Sequence, residues 1–94
     1  LEDKSIDFVL LANVFHGLVR SKKEENVLKE IKRILKNNGR IGLIEFKKDI
    51  LEFGPPPWVR ISPEEATSIF NKFGFKLLEG PIYVNTHYIL IFGI

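Results

Sequence analysis

The sequence predicts an α/β fold with the order strand, helix, strand, helix, strand, strand. Three observations carry this. Two nearly unbroken apolar runs, Ser5 to Ala12 and Arg40 to Phe46, read as strands covered on both faces in a parallel sheet. Between them lies an amphipathic stripe at helical spacing. At the end of the chain, His87 to Ile94 follows Phe75 to Glu79 too closely for a parallel crossover, so the last two strands should form an antiparallel hairpin.

Each element has its own local grounds. Ser21-Lys22-Lys23-Glu24 carries the spacing of a capping box, so a helix is expected to start there. Val27, Leu28, Ile31, Ile34 and Leu35 supply its buried stripe; Lys29, Lys32, Arg33 and Lys36 face outward, and Asn38-Gly39 stops it. A right-handed crossover then joins two parallel strands, a unit that needs helical cover on both sheet faces. From Lys47 to Ile61 the pattern breaks into a loop holding Gly54-Pro55-Pro56-Pro57-Trp58, where consecutive prolines forbid helix. Ser62-Pro63-Glu64-Glu65 reads as an N-cap, a first-turn proline and acids at the positive dipole end. Ala66, Ile69, Phe70 and Phe73 form the stripe of that second helix, and Gly74 ends it.

The chain has 94 residues, 45% of them hydrophobic and 28% charged, which suits one modest globular core and excludes a disordered chain. It has no cysteine, so disulfides, thiolate catalysis and cysteine-held zinc are excluded. The two histidines show no metal-ligand spacing, and no metal site is expected. No apolar run approaches the roughly 20 residues that cross a bilayer, and Leu1-Glu2-Asp3-Lys4 is no signal peptide. A soluble, cytoplasmic protein is the expectation. Arg20 to Arg40 holds eight basic residues (Arg20, Lys22, Lys23, Lys29, Lys32, Arg33, Lys36, Arg40) against three acids (Glu24, Glu25, Glu30). A solvated helix explains this better than nucleic-acid binding, because no aromatics interleave and the whole chain is only +2.

Several stretches resemble one family. Leu1-Glu2-Asp3-Lys4-Ser5-Ile6-Asp7-Phe8-Val9 is similar to a "LPFEDNSFDVV" stretch of class I S-adenosylmethionine-dependent methyltransferases. Leu28 to Arg40 is similar to their "LKEIKRVLKPGGR". Ile44-Glu45-Phe46-Lys47-Lys48, Gly54-Pro55-Pro56, Arg60-Ile61-Ser62-Pro63-Glu64-Glu65, Phe73-Gly74-Phe75 and Thr86-His87-Tyr88-Ile89-Leu90 resemble the "DWKK", "GPP", "RISPEE", "AGF" and "YHYGLVF" of a small-molecule, type 11-like subgroup. The departures are mild: Asn37-Asn38 stands for the usual Pro-Gly before Gly39, and Glu45 for the common aspartate. The resemblance covers nearly the whole chain and implies the C-terminal half of a Rossmann-like methyltransferase sheet, β-α-β-α-β-β with the last strand antiparallel. It also implies S-adenosylmethionine as cofactor, although residues 1–94, read as one partial domain, contain no GxGxG turn. Weak or absent cofactor binding by the isolated chain is therefore expected.

The resemblance further implies cofactor contacts from the turn after the first strand, Ala12, Asn13, Val14 and His16, because open α/β sheets bind ligands at the carboxyl ends of their strands. His16 is a candidate acid or base near neutrality; the alternative is a packed, hydrogen-bonded turn histidine. Glu45, at the carboxyl end of the second strand, is a candidate for orienting or deprotonating substrate, with an ion pair to Lys47 or Arg60 as the plain alternative. Trp58 and Arg60 suit an aromatic and cationic lid over substrate, against simple packing on the sheet. His87 and Tyr88 start the last strand at the same end of the sheet, as pocket residues or as strand-end hydrogen bonders.

Two functions compete. In one, the chain is part of an enzyme transferring a methyl group to a small-molecule acceptor. In the other, it is a non-catalytic dimerisation or regulatory module. Either way the first strand should have a bare edge, so a homodimer or a complementary N-terminal half is the expected partner.

Overall fold

The computed structural model describes residues 1–48 and 54–94. Strand β1 (Ile6–Ala12) leads through helix α1 (Phe15–Arg20) to helix α2 (Glu24–Ile34) and strand β2 (Leu35–Phe46). A 3-10 turn (Pro57–Val59), helix α3 (Pro63–Lys72), strand β3 (Lys76–Val84) and strand β4 (His87–Gly93) follow. The sheet order is β1-β2-β4-β3, with β1 parallel to β2 and β4 antiparallel to both neighbours. The predicted order of strands and helices is thus present with one further helix, α1, between the first two strands, and so is the terminal hairpin. Part of the 47–61 loop lies outside the described residues.

Alternation along the strands sorts the sheet into two unlike faces. Ile41 and Leu43 of β2 and Tyr88, Leu90 and Phe92 of β4 point to one side and are fully buried. They meet Phe15 of α1, Leu28 and Ile31 of α2, and Ala66 and Phe70 of α3 in a single core. Phe70 is its hub, stacked on Phe92 at 4.0 Å and 8° and touching Phe15 at 5.0 Å between ring centres. On the opposite side Phe8 and Leu10 are 52% and 56% exposed, and Ile44, Ile89 and Ile91 are half-buried. The expectation of helices on both faces is therefore corrected: among the described residues, all three helices contribute to the one core. On the bare face Phe8 lies over Gly42, where a Cβ would come within 2.8 Å of the Phe8 ring.

Local chemistry explains where elements stop and start, including three departures from expectation. Ser21 caps no helix N-terminus; its hydroxyl donates to the Gly17 carbonyl at 2.8 Å, at the C-terminal end of α1. Helix α2 instead begins at Glu24 with no side-chain cap, and Glu24 and Glu25 supply negative charge to its first turn. Helix α1 begins inside the turn expected after the first strand; its six residues are too few to show a helical period. Leu35, read as helical, opens β2, yet its side chain stays in the core, so burial alone could not separate the two assignments. The β1–β2 register jumps from Ile6↔Leu35 to Phe8↔Arg40, leaving Lys36 to Gly39 as a bulge. Gly39 closes it against Leu35, whose Cδ1 would lie 2.6 Å from any Cβ there.

Helix α3 begins as the sequence indicates. The Ser62 hydroxyl accepts from the Glu65 amide at 3.1 Å, the Glu65 carboxylate accepts from the Ser62 amide at 2.9 Å, and Pro63 occupies the first turn. Strand β3 runs on to Val84, well past the expected Glu79, with register shifts against β4 around Gly80-Pro81. The basic residues of α2 and of the bulge after it are largely paired: Lys29 with Glu25, Arg33 with Glu30 and Asp3, and Lys36 with Asp7. Among the described residues no helix is long and apolar enough to cross a membrane.

Candidate functional site

The polar residues singled out in the sequence gather at the carboxyl ends of β1 and β2. Ala12 closes β1 opposite Ile44, and the Asn13 amide donates to the Ile44 carbonyl at 2.9 Å, extending the ladder by one bond. Asn13 then takes a left-handed backbone (φ 60°), a conformation asparagine tolerates better than most residues. The chain turns at this point, Val14 stands half-exposed as the N-cap of α1, and His16 is delivered back over the end of β2.

There His16 meets Glu45. The Glu45 side chain is 1% exposed and points to the helix side of the sheet. Its Oε1 accepts from His16 Nδ1 at 2.8 Å and its Oε2 from the His16 backbone amide at 3.1 Å. A carboxylate can only accept, so the Nδ1 proton is fixed and Nε2 is left as the bare acceptor of a neutral ring. Nε2 has no partner among the described residues and is not sealed from solvent. Glu45 is therefore sealed from solvent beneath His16, and the ion pair with Lys47 or Arg60 does not form among the described contacts.

A second connection crosses the crest. His87 Nε2 donates to Asn13 Oδ1 at 3.0 Å, and its Nδ1 lies 2.9 Å from Thr86 Oγ1, which donates to it in the neutral ring. The ring also packs at 4.1 Å from the centre of Phe46. This clasp ties the start of β4 to the end of β1 across β2. With its oxygen held by His87, the Asn13 amide turns its NH₂ away from the ring. Beside it, Ile44, Val84, Asn85, Thr86, His87 and Ile89 line a hollow of about 350 Å³.

Two expected pocket residues, Arg60 and Tyr88, have their polar groups committed to backbone carbonyls. Arg60 is 3% exposed, and it donates from Nε to the Pro55 carbonyl at 2.6 Å and from Nη1 to the Lys47 carbonyl at 2.9 Å. Its guanidinium lies 5.2 Å from the Phe46 ring centre, so it pins the proline-rich segment and offers substrate no cationic lid. Tyr88 is fully buried and donates to the Ile61 carbonyl at 2.5 Å. Burial, reinforced by the Glu45 carboxylate, pushes its phenol well above the ordinary tyrosine range, so it keeps its proton. Trp58, by contrast, is 77% exposed on the 3-10 turn that packs against α1, at the carboxyl-end side of the sheet. Thr86 was quoted above only within a motif; its role depends on the hairpin register, which the sequence did not define.

Comparisons with known proteins place this geometry in a family. The family model described as "Methyltransferase domain" matches residues 1–43. An uncharacterized methyltransferase-like protein of Schizosaccharomyces pombe is 36% identical over 73 residues, 78% of this chain and 24% of that protein. The chain superimposes over 98% of its length on a SAM dependent methyltransferase from Aquifex aeolicus, at 27% identity and a TM-score of 0.84. It belongs to the class I methyltransferase family. A protein assigned as a type 11 methyltransferase from Sulfolobus solfataricus fits equally well, with a TM-score of 0.85 and 30% identity over 98% of this chain. The chain spans about half of each of those two solved structures, 52% and 47%, and about a quarter of the yeast relative.

Proposed function

We propose that this chain forms the acceptor-facing half of a domain that transfers a methyl group from S-adenosylmethionine to a small molecule. The observation that carries the proposal is the meeting of His16 and Glu45 at the carboxyl end of a methyltransferase sheet. A proton acceptor held in one tautomer, on a side chain that keeps partial solvent access, suits an acceptor that must lose a proton as it gains a methyl group.

The residues present fit part of a cofactor site. The left-handed turn at Asn13, with the NH₂ of its amide directed away from His87, suits a carboxylate such as the one at the methionine end of S-adenosylmethionine. When bound, the cofactor supplies an activated methyl group on a sulfonium. His16 Nε2 takes the acceptor's proton, Glu45 holds the imidazole and steadies the cation formed, and Trp58 screens the crevice from water. His87 and Thr86 hold Asn13. Glu45 is a positioning residue here, since it is sealed from solvent beneath His16.

The bare edge of β1 and the uncovered sheet face favour a further element of the reading. A complementary N-terminal half, or a second copy of the chain, covers them in the working protein. A non-catalytic dimerisation or regulatory module uses the same surface. A cysteine-free chain suits the cytoplasm, where the reading sets it.

Calorimetry tests the proposal. The full natural-length protein should bind S-adenosylmethionine with a dissociation constant of about 1–100 μM, and the isolated chain should bind it more weakly than about 1 mM. His16→Ala should lower kcat by at least about a hundredfold with little change in KM for S-adenosylmethionine. No binding by the full protein would favour the non-catalytic module.

A further inference from the structure

Lys47, Lys48, Pro63, Tyr83 and Tyr88 line a hollow of about 430 Å³ between the segment after β2, the start of α3 and the β3–β4 hairpin. We propose that it is a subsite for a small acceptor carrying a carboxylate, with Lys47 as the group that holds it. The proposal rests on the methyltransferase reading and names the acceptor's chemical class.

Four observations converge. The hollow is large enough for a small organic molecule. Its walls mix apolar and aromatic surface, Pro63 and Tyr83, with Tyr88 as the floor; the Tyr88 hydroxyl is already committed to the Ile61 carbonyl. The remaining polar side-chain groups are two ammonium groups and the Tyr83 phenol, which all donate, and an ammonium cannot accept. A ligand group that only accepts hydrogen bonds is the complement of that set.

The two lysines differ. Lys48 pairs with Glu65 at 2.8 Å, so its charge is answered. Lys47 has no carboxylate within ion-pair distance among the described residues, and its Nζ lies 5.3 Å from the centre of the Tyr83 ring. Its backbone amide donates to the Thr86 carbonyl at 2.7 Å, which fixes the root of the side chain against the hairpin. One ammonium without a carboxylate partner among the described residues matches one negative charge. A doubly charged phosphate would need more: Arg60 is turned onto backbone carbonyls, and the first turn of α3 is closed by Ser62 and Glu65. The position is also apt, because Tyr88 pairs across the sheet with Glu45, which holds His16.

Benzoate, benzylamine and the full natural-length protein provide the test, followed by NMR. Benzoate should shift Lys47 and Tyr83 signals and saturate at millimolar concentration, while the equally sized cation benzylamine should not. Lys47→Gln should weaken benzoate about fivefold, the loss of one charge-assisted contact, and Lys48→Gln less than about twofold. Tyr83→Leu, which leaves both lysines in place, should also weaken it. Equal binding of benzylamine, benzoate shifts elsewhere, or indifference to Lys47→Gln in a folded variant would overturn the proposal. The titration needs no cofactor. Failure to bind S-adenosylmethionine would remove the methyltransferase reading with the benzoate result intact, and failure to bind benzoate would remove the subsite alone.

Discussion

Glu45 grips His16 twice, at the ring and at the backbone amide, so one buried carboxylate sets both the start of α1 and the tautomer of its histidine. Glu45→Ala strips both bonds and leaves two donors facing an apolar layer. We expect it to destabilise the protein by about 2–3 kcal/mol in urea unfolding. In Glu45→Gln, one side-chain oxygen can still accept, but the amide NH₂ faces a second donor, so an intermediate loss is expected. Nitrogen NMR of the neutral wild-type ring should find the proton on Nδ1; a proton on Nε2 would remove His16 as a base.

Asn13 and His87 are 74 positions apart and share one hydrogen bond near the surface. A cycle of Asn13→Ala, His87→Ala and the double variant should give a coupling of about 0.5–1 kcal/mol, the size of a single solvent-accessible bond. Zero coupling would mean that the clasp does not persist in solution.

The start of α3 links stability to pH. Lys48, then the Ser62 amide, hold the Glu65 carboxyl below its ordinary value. A group whose folded pKa is depressed contributes fully above its unfolded pKa and loses the contribution as pH falls through the folded value. Wild type should therefore lose stability on acidification below about pH 4.5, and Glu65→Gln should flatten that part of the profile. Ser62→Ala should cost about 1 kcal/mol at neutral pH through loss of the cap. An unchanged acid limb in Glu65→Gln would show that the carboxylate contributes nothing there.

The legibility of this chain followed the range of the interactions involved. Ser62, Pro63 and Glu65 lie within four residues of one another, and the capping chemistry that the sequence advertises is what forms. Ser21 and Glu24 have equally good spacing, but α1 takes Ser21 for its own end, a competition visible only once Phe15 is known to be buried. Leu35 was assigned to the core correctly and to the wrong element, since a helix and a strand can bury the same side chain. For the site, the carboxyl-end location of Asn13, His16, Glu45 and His87 followed from strand direction. Their pairing did not: which histidine meets which acid depends on α1 folding back over β2 and on the hairpin register.

The last prediction concerns the surface the sheet leaves bare. Strand β1 pairs only with β2 among the described residues, and Phe8 and Leu10 stand more than half exposed beside its free backbone edge. Ile44, Ile89 and Ile91 extend the apolar surface across the same face. An open edge next to such a face is a template for strand addition, and a contiguous apolar patch rarely stays in water on a monomer. The 94-residue chain by itself should sediment as a dimer or larger at micromolar concentration, and in a protein where a complementary half is joined to it the proposed cover for the patch is that half. Leu10→Lys discriminates between the two settings. In the isolated chain it should favour monomer, because a charge on the patch penalises association; in the full protein it should destabilise by about 2–4 kcal/mol, because the lysine would be buried. An isolated chain that stays monomeric with and without Leu10→Lys, together with a full protein indifferent to the change, would show that neither the edge nor the face is an interface.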